Sequence, residues 1–178
     1  HLFALEGERL RAWQQQDSAG RDLHFMYSIN LSGASLTDPS FADFIKEQFE
    51  LHGIQPSAIA FEITETRVIT QLDKAVKLIN ALREQGCSFL LDDFGSGMSS
   101  FGYLKNLPVD YLKIDGQFVK DILSDPIDHS MVKMINEIGH FMGLKTIAEY
   151  VENAAILKEI DAIGIDYAQG YEIAMPQP

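Results

Sequence analysis

The sequence predicts an α/β fold, an incomplete TIM-like (β/α)8 barrel, and three observations carry that expectation. The apolar period switches repeatedly between two and three-to-four, which marks alternating strands and helices joined as parallel crossovers. Polar residues stand at or near the C-terminal ends of the strand segments: Asn30, Glu62, Asp92, Asp93, Lys113, Glu149 and Gln169. A barrel gathers its chemistry from the ends of many strands, whereas an open doubly wound sheet concentrates it at one switch point. Six strand segments in 178 residues also fall short of the roughly 250 residues of a full barrel. The chain opens in Leu2-Phe3-Ala4-Leu5, which reads as mid-helix, so the first strand and helix are expected to be missing from this chain.

Phe25 to Leu31 reads as a strand, and Asp38-Pro39-Ser40 opens a helix to about His52. Proline just inside a helix start lacks only an N–H that would be unpaired there. Gly53 ends the helix. Ile59 to Ile63 is the second strand, followed by a helix from about Leu72 to Gln85. In that helix Ala75, Leu78, Ile79 and Leu82 share one stripe, and Gly86 supplies the cap. Ser88 to Leu91 is a nearly unbroken apolar run, as a strand buried on both faces requires, and it enters the polar loop Asp92-Asp93-Phe94-Gly95-Ser96-Gly97. A short helical stretch around Phe101 to Leu107 leads to a strand from Tyr111 to Ile114 and a helix from about Asp128 to Met142. Lys145 to Ala148 is the fifth strand, Ala154 to Ile163 a helix, and Tyr167 to Tyr171 the start of the sixth strand. No repeat, low-complexity tract or linker divides the chain, so residues 1–178 are expected to form one domain with no second one.

At 46% hydrophobic and 22% charged, the makeup is that of an ordinary globular protein. A net charge of −12 excludes a broad electrostatic grip on a nucleic-acid polymer, which needs a basic face. A small anionic ligand remains compatible with it, because bound divalent cations invert the local charge. The single cysteine, Cys87, excludes a disulfide framework and any cysteine-based zinc site, and fits a reducing compartment. No run reaches the roughly 18–20 apolar residues of a membrane span, so no membrane contact is expected of this segment.

Glu62, Asp92, Asp93, Glu149 and the amide of Asn30, projecting into one barrel mouth, make an all-oxygen set of the kind that Mg²⁺ or Mn²⁺ prefers. Without a cation so many anions repel, and some are forced to protonate. A turn beginning at Phe94-Gly95 is expected to let both adjacent aspartates reach one site, one of them bridging two metals as phosphodiester hydrolysis uses them. Lys113 adds a fixed cation. Taken singly, each residue also has a plainer reading. Asp92 to Gly97 reads as a polar turn, Lys113 as an outward strand residue, Asp115 as the N-cap of a helix near Gln117, and Glu149 with Glu152 as a solvated pair.

Six ordered strings, Asn30-Leu31-Ser32, Phe61-Glu62-Ile63-Thr64-Glu65, Asp92-Asp93-Phe94-Gly95-Ser96-Gly97, Lys113-Ile114-Asp115, Ala148-Glu149-Tyr150-Val151-Glu152 and Gln169-Gly170-Tyr171, resemble the motifs of EAL domains. These are phosphodiesterases that cut cyclic di-GMP to linear pGpG in bacterial signalling. The resemblance implies that Asn30, Glu62 and Asp92 hold one metal, Mg²⁺ or Mn²⁺, and that Asp93 and Glu149 hold a second with Asp92 bridging. It implies that Lys113 hydrogen-bonds the attacking water and Gln169 orients the site near the substrate. Glu65 and Glu152 become supporting carboxylates, Glu152 anchoring the loop that begins at Asp93, and Asp115 belongs to the same motif. That loop, to about Phe101, resembles the family's dimerisation loop. A homodimer, upstream sensory or GGDEF modules and a cytoplasmic place, free or within a membrane-anchored sensor, follow from the same likeness. Three departures stand out: the Glu-Ala-Leu tripeptide is absent, Tyr150 stands where the family has glycine, and Met98 where it has an aromatic. The competing expectation is a catalytically inactive EAL domain that serves as a cyclic di-GMP receptor.

Overall fold

The computed structural model describes residues 26–96 and 102–174. The helical reading of residues 2–5, the strand start at Phe25, and Gly97, Met98 and Phe101 of the loop lie outside them. Among the described residues six strands form one sheet: β1 (Tyr27–Asn30), β2 (Ile59–Thr64), β3 (Ser88–Phe94), β4 (Tyr111–Ile114), β5 (Lys145–Ala148) and β6 (Tyr167–Ala168). They lie side by side in chain order, and every adjacent pair is parallel. An order that never reverses is the connectivity of a (β/α)8 barrel and excludes the doubly wound alternative.

The crossovers carry α1 (Gly33–Thr37), α2 (Phe41–His52), α3 (Glu65–Thr70), α4 (Leu72–Arg83), α5 (Gly116–Val119), α6 (Pro126–Phe141) and α7 (Ala154–Ile163). Boundaries depart from the sequence pattern where local polar groups intervene. The first turn of α6 reaches back to Pro126 because Asp125 Oδ1 accepts the Ile127 N–H at 2.7 Å. Between Phe101 and Leu107 the helix is only a 3₁₀ turn, Leu104–Asn106, and α3 follows β2 without a break. Among the described residues no helix is long and apolar enough to cross a membrane.

Side chains alternate across each strand, so each strand has a helix-facing set and a barrel-interior set. Phe61, Ile63, Phe89, Leu91, Leu112 and Ile114 pack with Ile45 and Phe49 of α2, Ile79 and Leu82 of α4, Val132 and Ile135 of α6, and Ile156 of α7. Phe61 and Phe89 are paired in register, with ring centroids 5.6 Å apart. The other set (Glu62, Leu90, Asp92, Tyr111, Lys113) therefore points away from the helices and into the concave face.

At the opposite end of β5 a polar network ties the last strands together. Asp166 accepts hydrogen bonds from Lys145 Nζ at 2.6 Å, His140 Nε2 at 2.7 Å and the Thr146 N–H at 2.9 Å. Burial alone would raise its pKa, but these donors outweigh burial and hold the carboxyl far below the usual range. A depressed carboxyl contributes stability that is complete above its unfolded pKa of about 4 and is lost as pH falls through the folded value. Asp166→Asn is therefore expected to cost about 1–2 kcal/mol at pH 7, after discounting for the solvent-facing Lys145 and His140. Urea midpoints from pH 7 to 3 should fall more steeply for the wild type than for the variant; parallel lines would remove Asp166 from the account.

Candidate active site

Register decides which side chains meet. Asn30 pairs with Glu62 across β1 and β2, and Thr64 with Asp92 across β2 and β3. Between β3 and β4 the pairing runs Leu90–Tyr111 and Leu91–Leu112, then resumes at Phe94–Ile114. Asp92 and Asp93 together thus face the single residue Lys113. This extra residue is a bulge inside β3: the strand continues through both aspartates to Phe94, and the expected turn follows at Phe94-Gly95, closed by the Ser96 N–H on Asp93 O at 3.4 Å. Asp93 takes φ 56°, in the left-handed region that a side chain rarely adopts, which is how two consecutive carboxylates come to one rim. Gly95, at φ 99°, then lets the chain pass close to α6 and α5; a Cβ there would lie 2.9 Å from Ile135 and 3.0 Å from Phe118.

Lys113 is the hub. Only 3% exposed, its Nζ lies 2.8 Å from Asp92 Oδ1, 2.8 Å from Glu149 Oε1 and 3.1 Å from Glu62 Oε2. Burial works to deprotonate it, but the three carboxylates overcome this and hold the ammonium above the ordinary lysine value. The opposite imbalance acts on the acids. Burial, with Asp92 and Asp115 adding repulsion, raises Asp93 despite Lys113. Burial likewise raises Glu149, its ion pair with Lys113 notwithstanding. Carboxylate oxygens of Asp92, Asp93 and Glu149 all fall within 4.8 Å of one another.

These donors fit a hard divalent cation. All are carboxylate oxygens, their mutual repulsion is what a dication relieves, and the buried Asp92 Oδ1 has the ammonium beside it without an aligned hydrogen bond. Glu62 joins the cluster through Lys113, while Asn30 sits exposed at the end of β1, one strand further along the rim.

The remaining sequence-selected residues separate into distinct places. Glu65, 1% exposed, accepts the Gly95 N–H at 3.2 Å through Oε2 and the Tyr103 hydroxyl at 2.7 Å through Oε1. It therefore holds the described ends of the Asp93 loop, at Gly95 and Tyr103. Glu152 is exposed, and with Glu149, Tyr150, Gln169, Gly170 and Tyr171 it lines a cleft of about 240 Å³. Asp115 is the N-cap of α5, its Oδ1 accepting the Gln117 N–H at 2.8 Å. Gln169 is placed beside Glu149 because its N–H bonds Ala148 O at 2.8 Å while its own carbonyl accepts the Val151 N–H at 3.1 Å. Sequence reasoning missed Tyr103, whose partner lies 38 residues away and leaves no local signal. It also missed Arg67, which donates to Leu31 O and secures the turn after β1. At Tyr150 the backbone has φ 53°, the conformation for which glycine is the ordinary residue.

Comparison with known proteins places this geometry. The family model of the EAL domain matches residues 2–176. The chain is 47% identical over 151 residues to the cyclic di-GMP phosphodiesterase PdeB of Shewanella oneidensis, covering 85% of this chain and 18% of that protein. It is 37% identical over 152 residues to the cyclic di-GMP phosphodiesterase PdeF of Escherichia coli, covering 85% and 20%. The chain thus spans about a fifth of the length of these curated relatives. Among solved structures, the PaMucR phosphodiesterase in its c-di-GMP complex superposes with a TM-score of 0.89 at 28% identity, over 99% of this chain and 70% of that one. With nearly its whole length matched and its acidic rim assembled from separate strand ends, the chain belongs to the EAL domain family.

Proposed function

We propose that this chain is the hydrolytic core of a cyclic di-GMP phosphodiesterase in bacterial second-messenger signalling, opening one phosphodiester of the ring to give linear pGpG. The observation that carries this reading is Lys113 held among Glu62, Asp92 and Glu149, with Asp93 beside them, in a chain 47% identical to a named phosphodiesterase. Asn30, Glu62 and Asp92 would hold one Mg²⁺ or Mn²⁺, and Asp93 and Glu149 a second, Asp92 serving both. When bound, such a pair supplies a water of lowered pKa and neutralises charge developing on the phosphate.

The chain's own residues do the rest. Lys113, kept protonated, donates its N–H to the attacking water and stabilises negative charge as the water oxygen bonds phosphorus and the ribose 3′ oxygen leaves. A lysine so strongly protonated is a fixed cation and not a general base. Asp93 and Glu149, whose carboxylate oxygens lie within 4.8 Å of those of Asp92, are the groups placed to accept the water's proton and return it to the leaving oxygen. Gln169 and Glu152 border the substrate cleft, and Glu65 fixes the loop that follows Asp93. A homodimer through that loop belongs to the same reading, as do upstream sensory or GGDEF modules, for which the greater length of the relatives leaves room. So does a cytoplasmic place, free or in a membrane-anchored sensor, where a signalling dinucleotide is made and consumed.

The test is product analysis of the full-length protein with cyclic di-GMP, with Mg²⁺, Mn²⁺ or EDTA. Conversion to pGpG with either metal, abolished by EDTA and by Asp92→Ala, is the expected result. Tight binding without any pGpG in all metals would replace hydrolysis by the receptor reading, and absence of both binding and turnover would end each.

A further inference from the structure

We infer that Tyr150 is a substrate-binding residue, an aromatic platform on which one purine base of the dinucleotide stacks. The inference rests on the phosphodiesterase reading and adds to it a base-binding subsite. Four observations converge. Tyr150 holds a left-handed backbone, φ 53°, a strained choice for a side-chain-bearing residue and one that persists chiefly where function keeps it. No core burial accounts for it, since the residue is 61% exposed. Its side chain lies against Gly116, at the start of α5; a Cβ there would fall 2.0 Å from Tyr150 Cδ2 and 2.6 Å from Cγ, so only glycine leaves the ring this seat. Finally, Tyr150 lines the same cleft as Glu149 and Gln169, with Glu149 one residue away in the acidic cluster.

Physical chemistry assigns such a surface to a flat, uncharged group. Beside Tyr150 the cleft wall carries Tyr171 and the acids Glu149 and Glu152, and these acids repel phosphate unless cations intervene. A purine has a π-face that stacks on tyrosine regardless of hydrogen-bonding pattern, and carries no charge to be repelled. With the phosphate held at the acidic rim, a base one ribose away meets the ring.

The experiment compares Tyr150→Phe, Tyr150→Leu and Gly116→Ala in the full-length protein. Leucine keeps bulk and backbone strain but has no π-face; Gly116→Ala pushes the ring from its seat without altering it. KM for cyclic di-GMP should rise about tenfold in Tyr150→Leu and Gly116→Ala with kcat within twofold, and Tyr150→Phe should restore wild-type KM. The Kd of the product pGpG, measured by calorimetry without turnover, should shift by the same factor. If wild type hydrolyses cyclic di-GMP and Tyr150→Leu leaves KM and the pGpG Kd within twofold, the platform is wrong and the phosphodiesterase reading stands. A fall confined to kcat would instead make Tyr150 a support for Glu149. If wild type neither binds nor hydrolyses cyclic di-GMP, both readings fall together.

Discussion

Lys113→Ala is expected to reduce phosphodiester hydrolysis by at least about a hundredfold and to destabilise the fold by about 3–5 kcal/mol at neutral pH. Both follow from one fact: a single buried ammonium serves Glu62, Asp92 and Glu149 at once. Removing it leaves the acids facing one another in a site already crowded enough to raise Asp93 and Glu149. The sign of the pH dependence is fixed. Carboxyls raised in the folded state bind protons there that they release on unfolding, so the variant gains stability as pH falls from 8 towards 5. In the wild type the raised ammonium contributes throughout this range, since its stabilisation is complete below the unfolded lysine pKa of about 10.4. The gap between the two proteins in urea midpoint should therefore narrow on acidification, while activity returns at no pH. Added Mg²⁺ should stabilise the variant more than the wild type. Undiminished turnover by Lys113→Ala would remove the residue from catalysis, and a gap constant with pH would remove its carboxylate partners.

Gly170→Ala is the second large effect. A Cβ at Gly170 would lie 2.3 Å from Val151 O and 2.4 Å from Val151 N, backbone atoms that no rotamer change can move. The same loops are zipped together there: the Val151 N–H bonds Gln169 O at 3.1 Å, and the Glu172 N–H bonds Val151 O at 3.0 Å. Relief of the clash parts the two segments and carries Gln169 and Glu149 away from the rim. A loss of about 3 kcal/mol is expected, with weaker Mg²⁺-induced stabilisation. Gly33→Ala is the control, because nothing lies within 4 Å of a Cβ in that helical position, and it should be neutral or mildly stabilising. Equal behaviour of the two alanines would show that the Gly170 crossing yields without cost.

What the sequence makes legible is the part governed by local period. Ile59 to Ile63 and Tyr111 to Ile114 alternate or run apolar because each has one or two faces to bury, and the structure places strands there. Strand-end polar residues are legible for the same reason: a polar group breaking an apolar run marks where the strand leaves the core. The bulge at Asp92–Asp93 was not legible, because its signal is a register difference between two strands and a positive φ at an aspartate. The hold of Glu65 on the Asp93 loop is hidden for a related reason. Glu65 and Glu152 are both acids three residues beyond a strand-end glutamate, and only the packing of α3 against β3 shows that Glu65 reaches Gly95. Likewise, nothing around Gly116 announces that Tyr150 lies over it.

The neighbour-by-neighbour sheet has a consequence for synthesis on the ribosome. Among the described strands, each of β2 to β6 finds a hydrogen-bonding partner in the strand made just before it, so the layer can grow vectorially as the polypeptide emerges, with little waiting for distant pieces. The reactive rim obeys the opposite schedule. Glu62, Asp92 and Lys113 are in hand early, but Glu149 and Gln169 come from the last strands, so a nascent chain acquires a stable body before it acquires a complete set of metal-seeking groups.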